Sequence, residues 1–299
     1  MISTSCCIAV TGSLYRHPLP RYLPAEFHHE VGVLELEETD FPCYVLARRT
    51  CKLVKCTDSD NYTRVSTEPG CCATTTEGSQ THGPATLHES VSPAVRCFDM
   101  IERRSLDVVY CIRCVVWPPQ SAEWTTRRRD HNWPDTATIN CIVNNGCDIV
   151  HVAHPWCRED EVMNRLQWRL SFSRAETVLL NTWSEIQQLV YHMLRVFASR
   201  IQSYHELSVI TRYHVKTLLL WTSELDSRLW NTCVVNICTH LIHELAKWLT
   251  SAQFPLYFVP RCNLSDGILC VPAHQFKYVV SMLNNITVEL LSSWFREFI

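Results

Sequence analysis

Glycine is scarce in this chain, with 7 in 299 residues. A protein with so few cannot use Gly-rich loops as its main device for holding phosphate. Long apolar runs are also missing. No stretch approaches the roughly 18 residues that a membrane-spanning helix needs, and no charged-then-apolar segment opens the chain. No membrane partner is therefore expected, and the expected setting is intracellular and cytoplasmic. An excess of one charge is absent too. Lys and Arg number 27 against 30 Asp and Glu, giving a net charge of −3 and an isoelectric point near 6.5. No global field draws in DNA, RNA or an anionic membrane, so nucleic-acid binding is expected to be weak at most and to need a local patch.

Cysteine is abundant, but its pattern does not form a disulfide framework. There are 17, an odd number, and 13 of them precede residue 158. That usage fits a reducing compartment with mostly buried thiols. Cys111-Ile112-Arg113-Cys114 is the only CxxC, and no second pair follows at zinc spacing, so no zinc is expected. What the chain does have is apolar content, 46% of its residues, enough for a sizeable core in one or two domains.

Taken in order, Gly12-Ser13 is followed by a proline-rich segment and then Glu26-Phe27-His28, which leads into an apolar strand from Val31 to Leu36. In a strand Glu26 and His28 share a face. Cys43 to Val65 holds two apolar runs suited to an edge hairpin. From Ser66 to Ser92 the Thr, Ser, Gly and Glu content predicts a long loop. Leu106 to Pro118 is the strongest strand pattern, β-branched and ended by Pro118, with Asp107 near its start. Arg127-Arg128-Arg129 is the densest positive charge and reads as a solvated turn. Thr138 to Asn144 predicts a short helix stopped by Gly146, and Asp148 to Val152 a short strand. The second half is helical. Ile186, Leu189, Val190, Met193, Leu194, Phe197 and Ile201 mark one face of an amphipathic helix. Further helices are predicted around Tyr213–Trp221, over 231–249 and over 274–298.

The stretch on which the rest is organised is Trp168-Arg169-Leu170-Ser171-Phe172-Ser173-Arg174-Ala175-Glu176. Its last four residues are Ser-x-x-Glu, the pattern of a capping box in which Glu176 reaches back to the N–H of Ser173. Arg169, Ser171 and Ser173 alternate along an extended segment. One cation and two hydroxyls delivered to a helix N-terminus can hold phosphate, or can simply cap the helix.

This stretch resembles the signature joining the two lobes of the male abnormal twenty-one (Mab-type) family, which includes cyclic GMP–AMP synthase and its animal relatives. Tyr213-His214-Val215-Lys216-Thr217 looks like the family's Ser-Tyr-His-x-Lys-Thr motif, with Arg212 in place of Ser. Leu256-Tyr257-Phe258-Val259-Pro260 and Asn263-Leu264 resemble its Tyr-Phe-Ile-Pro…Asn-Leu link. The resemblance is dense over 106–264 and thin over 12–36. It implies an α+β fold, a nucleotidyltransferase-like mixed sheet (residues 1–160) followed by a helical lobe resembling helix–two-turn–helix (161–299). It also implies a site between the lobes, with Gly12, Ser13, Arg169, Ser171, Ser173 and Lys216 binding nucleotide. Glu26 and Asp107 would be catalytic carboxylates holding magnesium or manganese, with His28 standing where the family has a second acid on the Glu26 strand. The family's zinc insertion, expected between Asn181 and Gln188, is absent.

Two function classes follow. One is an active nucleotidyltransferase that takes nucleoside triphosphate and makes a nucleotide second messenger in innate immune sensing. The other is a non-catalytic relative, a nucleotide-binding or interaction module on the same fold. His28 favours the second, because magnesium prefers hard oxygen ligands. So does the N-terminus, where only 11 residues precede Gly12 and the family's long spine helix is expected to be truncated or missing.

Overall fold

A computed structural model describes residues 6–11, 30–55, 62–70, 81–82, 85–89, 105–109, 111–114, 116–129, 131–157, 159–205, 209–267 and 271–298. The chain divides into two compact units. One comprises residues 1–118 and 144–173, the other 119–143 and 174–299. The expected boundary at 160/161 is a single cut, whereas the contacts group 119–143 with the second unit.

The first unit is built on a mixed sheet. Its strands are β1 (Cys6–Thr11), β2 (Glu30–Glu38), β3 (Tyr44–Lys55), β4 (Tyr62–Gly70), β8 (Cys111–Cys114), β9 (Cys147–Val150) and β10 (Gln167–Ser171), in the order β10-β9-β8-β1-β2-β3-β4. β1 runs parallel to both β2 and β8, and the other neighbours are antiparallel. β10 also pairs with the start of β3, so the path of strands returns on itself. β3 and β4 form the edge hairpin that their two apolar runs suggest.

The segment read as a loop is not one throughout. β4 continues to Gly70, and β5 (Thr81–His82) and β6 (Ala85–Glu89) pair in a second sheet with β7 (Ser105–Val109). The strongest strand pattern thus serves two ladders. β7 pairs with β6, while β8 pairs with β1 and β9. A strongly β-forming strand gives a polar, threonine-rich neighbour a ladder to join, and tertiary context overrides weak local preference.

β9 is buried along its whole length, Cys147 to Val150. It follows α2 (Thr136–Asn145), which Gly146 ends at φ 64°, a left-handed turn that costs glycine nothing. Trp168 and Leu170 of β10 point into this core and Arg169 points out, the period-2 alternation of a half-buried strand. The first unit also holds α3 (Glu161–Leu166), whose N–H groups at Val162 and Met163 donate to the carboxylate of Asp160, a helix cap.

The second unit begins with the short α1 (Ala122–Thr126), takes in α2 as far as Val143, and continues with α4 (Ser173–Asn181), α5 (Glu185–His205), α6 (Arg212–Leu225), α7 (Val234–Thr250), α8 (Ala273–Asn284) and α9 (Val288–Phe298). Its core is aliphatic: Val190, Leu194, Leu219, Leu220, Ile237, Leu241, Ile242 and Leu245 are all buried. Each such side chain contributes about 2 kcal/mol on leaving water. The face expected of α5 holds from Val190 to Ile201 but not in its first turn, where Ile186 and Leu189 are exposed. Gln187 is buried there instead. Its Oε1 accepts from Ser184 N–H at 2.8 Å and its Nε2 donates to Ser223 Oγ at 3.1 Å, so the first turn is fixed by polar bonds that turn its apolar side chains outward. The expected last helix is also two. It breaks at 285–287, where Thr287 Oγ accepts from Leu290 N–H at 3.2 Å and starts α9 afresh.

Candidate functional site

Four of the expected site residues, Gly12, Ser13, Glu26 and His28, lie outside the described residues. Asp107 is on β7, opposite Leu87 of β6. It therefore belongs to the second sheet, whereas β2, the strand into which Glu26 leads, belongs to the first.

The phosphate candidates of the Trp168–Glu176 stretch occupy one short run of backbone. Arg169 is exposed, with Tyr44 and Val150 as its cross-strand neighbours. Ser171 is half-buried on the same face and lies opposite Asp148. Ser173 is exposed at the first residue of α4. Asp148 is itself buried and sits across from Arg113, with Nη1 3.8 Å from Oδ1. Burial raises the Asp148 carboxyl above its usual range, and the Arg113 charge partly offsets that rise.

Glu176 does not complete the expected capping box. It is buried in the second unit and its carboxylate accepts a hydrogen bond from Lys216 Nζ. A carboxylate taken out of water needs a cation more than it needs a backbone N–H. Lys216 is 20% exposed along its side chain, and its ammonium lies over the Tyr213 ring, 4.9 Å from the centroid. Tyr213 and Lys216 are three residues apart on α6 and so share a face.

α6 starts by a device the sequence reading missed. Thr211 Oγ accepts from His214 N–H at 3.4 Å, and Thr211 N–H donates to His214 Nδ1 at 3.0 Å, a reciprocal cap with histidine in the third position. Because Nδ1 accepts, the ring proton sits on Nε2, which is buried without a partner among the described residues. Burial lowers the His214 pKa to about 4.

The arginine triplet is not the solvated turn expected of it. Arg127 and Arg129 are only 9% and 7% exposed along their side chains, and both face Glu224, which is 1% exposed. Arg129 Nε donates to Glu224 Oε2 at 3.3 Å and the Tyr257 hydroxyl donates to the same oxygen at 2.5 Å. Arg127 Nε lies 3.3 Å from Oε1. The Arg127 guanidinium also stacks over Trp221 and Tyr257, at 4.4 and 4.9 Å, and its Nη2 donates to the Tyr257 carbonyl at 2.6 Å. Burial lowers the Arg127 pKa, and Glu224 opposes that effect. Two of the three charges on which nucleic-acid attachment would depend are thus used inside the unit. The available signal was Glu224 itself, an acid among the apolar residues of a strongly helical pattern.

Two motifs quoted from the sequence therefore meet physically. Glu176, the end of the Trp168–Glu176 signature, holds Lys216 of the Tyr-His-x-Lys motif, 40 residues away. The family comparison agrees on both sides of that contact: the Mab-21 protein nucleotidyltransferase domain matches residues 51–182 and the Mab-21 protein HhH/H2TH-like domain matches 181–277. The chain belongs to the Mab-21 family. Among individual relatives, it is 28% identical to Protein mab-21-like 3 of Danio rerio over 59% of this chain and 44% of that protein. It is 24% identical to a Cyclic GMP-AMP synthase-like receptor of Magallana gigas over 60% of this chain and 30% of the other. It is also 24% identical to Protein mab-21-like of Aedes aegypti, over 56% and 46%. The chain spans less than half the length of these relatives. Among the described residues, no helix of this Mab-21 protein is long and apolar enough to cross a membrane.

Proposed function

We propose that this chain is a non-catalytic member of the Mab-21 family, one that binds a nucleotide or related phosphate without transferring it. The observation that carries this reading is His28 in the sequence, which by the family resemblance stands where the family has a second carboxylate. By the family resemblance, Glu26, Asp107 and His28 would make a donor set of two carboxylates and an imidazole, poorly suited to magnesium or manganese, which take oxygen ligands, and better suited to softer ions. Such a set does not fit the ion that the family's chemistry requires. Phosphate binding asks less of the protein. Arg169 and Ser171 on β10 and Ser173 at the start of α4 offer a cation and two hydroxyls, and Lys216, steadied by Glu176 and Tyr213, offers a positioned ammonium.

A second reading, an active cyclic GMP–AMP synthase-like enzyme, is favoured by the similarity to the Magallana gigas receptor. One experiment separates the two. The protein is incubated with each nucleoside triphosphate plus magnesium or manganese, while binding and product are both measured. The expected result is binding without oligonucleotide product. Product that vanishes on Asp107→Ala would overturn the non-catalytic reading.

A further inference from the structure

A second basic feature lies in the helical unit, away from the arginine triplet. Along α5, His192, Arg195, Val196, Ser199 and Arg200 form a stripe, and Arg212 from the first turn of α6 completes the wall of a concavity of about 460 Å³. No carboxylate is among the described residues lining it. In a chain with a net charge of −3, Arg195 and Arg212, whose described partners are a ring and a hydroxyl, bring to one hollow positive charge that the overall balance hides.

The way two of these arginines are held is informative. Arg195 is steadied by the Tyr191 ring, with its guanidinium carbon 5.3 Å from the centroid. Arg212 Nε donates to Ser199 Oγ at 3.1 Å, and Ser199 Oγ in turn donates to the Arg195 carbonyl at 2.8 Å. Ring and hydroxyl fix direction without cancelling charge. The Arg195 and Arg212 guanidinium groups keep donors for a further acceptor, because a guanidinium carries five N–H groups in a rigid fork. Positioned but unneutralised forks of this kind match phosphate oxygens, which accept in pairs. Arg195 and Arg200 are about 7.5 Å apart along the helix axis, a span that calls for more than one phosphate group. The hollow is the size of a small-molecule site, for which about 300–1,000 Å³ is usual. A duplex would need a longer track of cations than this one wall provides.

We infer that the α5/α6 hollow lined by Arg195, Arg200 and Arg212 is a binding site for a small, multiply phosphorylated anion. The inference rests on these residues and is independent of the nucleotidyltransferase reading. The probe is inorganic tripolyphosphate, titrated calorimetrically into the full chain at 0.15 M salt, with short duplex RNA as a parallel arm. The double variant Arg195→Gln/Arg212→Gln is expected to weaken tripolyphosphate binding roughly tenfold or more, since two charge-assisted forks are lost. Arg212→Lys should weaken it by less, because it keeps the charge and loses the fork. Lys247→Ala, at an exposed position on α7, should change it less than about twofold. Circular dichroism of each variant confirms folding, and the exposed position of Arg212 makes Arg212→Lys an independent check. Three results would overturn the site: no tripolyphosphate binding, binding unchanged in the arginine variants, or duplex RNA bound more tightly than tripolyphosphate through the same arginines.

Discussion

The helical unit contains two groups of arginines that differ in almost every physical respect. Arg127 and Arg129 are two residues apart in sequence, nearly fully buried, and matched to a buried acid, Glu224, with Trp124, Trp221 and Tyr257 stacked around them. Arg195, Arg200 and Arg212 are scattered over the sequence and half-buried or exposed, and they line a hollow with no described acid on its wall. The first group is the conspicuous one when the chain is read as letters. It is also the one whose charge is used inside the protein. Charge density along a chain and charge presented at a surface are different quantities, because a helix brings residues three, four and seven apart onto one face and spreads neighbours around its axis.

The comparison breaks most visibly at Glu224. Removing it leaves Arg129, 7% exposed, without a counter-charge among the described residues, and leaves Arg127, 9% exposed, with only the more exposed Glu123, 3.8 Å away. Losing one partner of a buried ion pair costs about 3–5 kcal/mol. Glu224→Ala is therefore expected to lower the thermal midpoint by roughly 10 °C, measured by circular dichroism or calorimetry. A midpoint within a degree or two of the parent would mean that water reaches the cluster and that its burial matters little.

α6 spans the contrast within three residues, from exposed Arg212 to buried His214, and it gives the next largest effect. The folded His214 pKa is depressed to about 4 from the ordinary 6.5, because burial penalises the imidazolium. Protonation would also place a hydrogen on Nδ1, against the N–H that Thr211 already donates there. The unfolded chain thus binds more protons between pH 4 and 6.5. The contribution is fully present above pH 6.5 and is lost as pH falls through that window, reaching on the order of 3 kcal/mol. Other groups titrate over the same range, so the measurement is a difference. His214→Gln keeps an acceptor at the same place in the cap without the titration, and urea midpoints of parent and variant should converge as pH is lowered. An NMR titration showing His214 protonating near 6.5 would remove the basis of this expectation.

How much of this could be read from the sequence depends on how far away the deciding partner lies. The mixed sheet and the helices α5, α6 and α7 have local signals, alternation or helical period, whereas the pairing of Glu176 with Lys216, 40 residues apart, has none. The second sheet has none either, because β6 is strand only by virtue of β7, some twenty residues on. The fate of the triplet was hidden for the same reason, since Glu224 and Arg129 are 95 residues apart. The break between α8 and α9 was legible in principle, as Thr287 followed three residues later by Leu290 N–H is a helix start, but a continuing apolar period masked it. Of the candidate site, Arg169, Ser171, Ser173 and Lys216 can be followed onto elements, while Gly12, Ser13, Glu26 and His28 lie outside the described residues.

The smallest expected effect sharpens the comparison most. If Arg195 and Arg212 are positioned for a ligand and not for the fold, the protein should scarcely need them when no ligand is present. Their described contacts are one ring stack and one hydrogen bond to a hydroxyl, and Arg212 is exposed, where a lost neutral contact is usually within about 0.5 kcal/mol. The double variant Arg195→Gln/Arg212→Gln should accordingly melt within a degree or two of the parent in phosphate-free buffer. The parent should then gain stability on adding tripolyphosphate, since a ligand that binds only the folded state raises its midpoint. The variant should not respond. A variant already destabilised to the extent expected for Glu224→Ala would place Arg195 and Arg212 in the same structural class as Arg127 and Arg129, and the contrast between the two groups would be one of exposure alone.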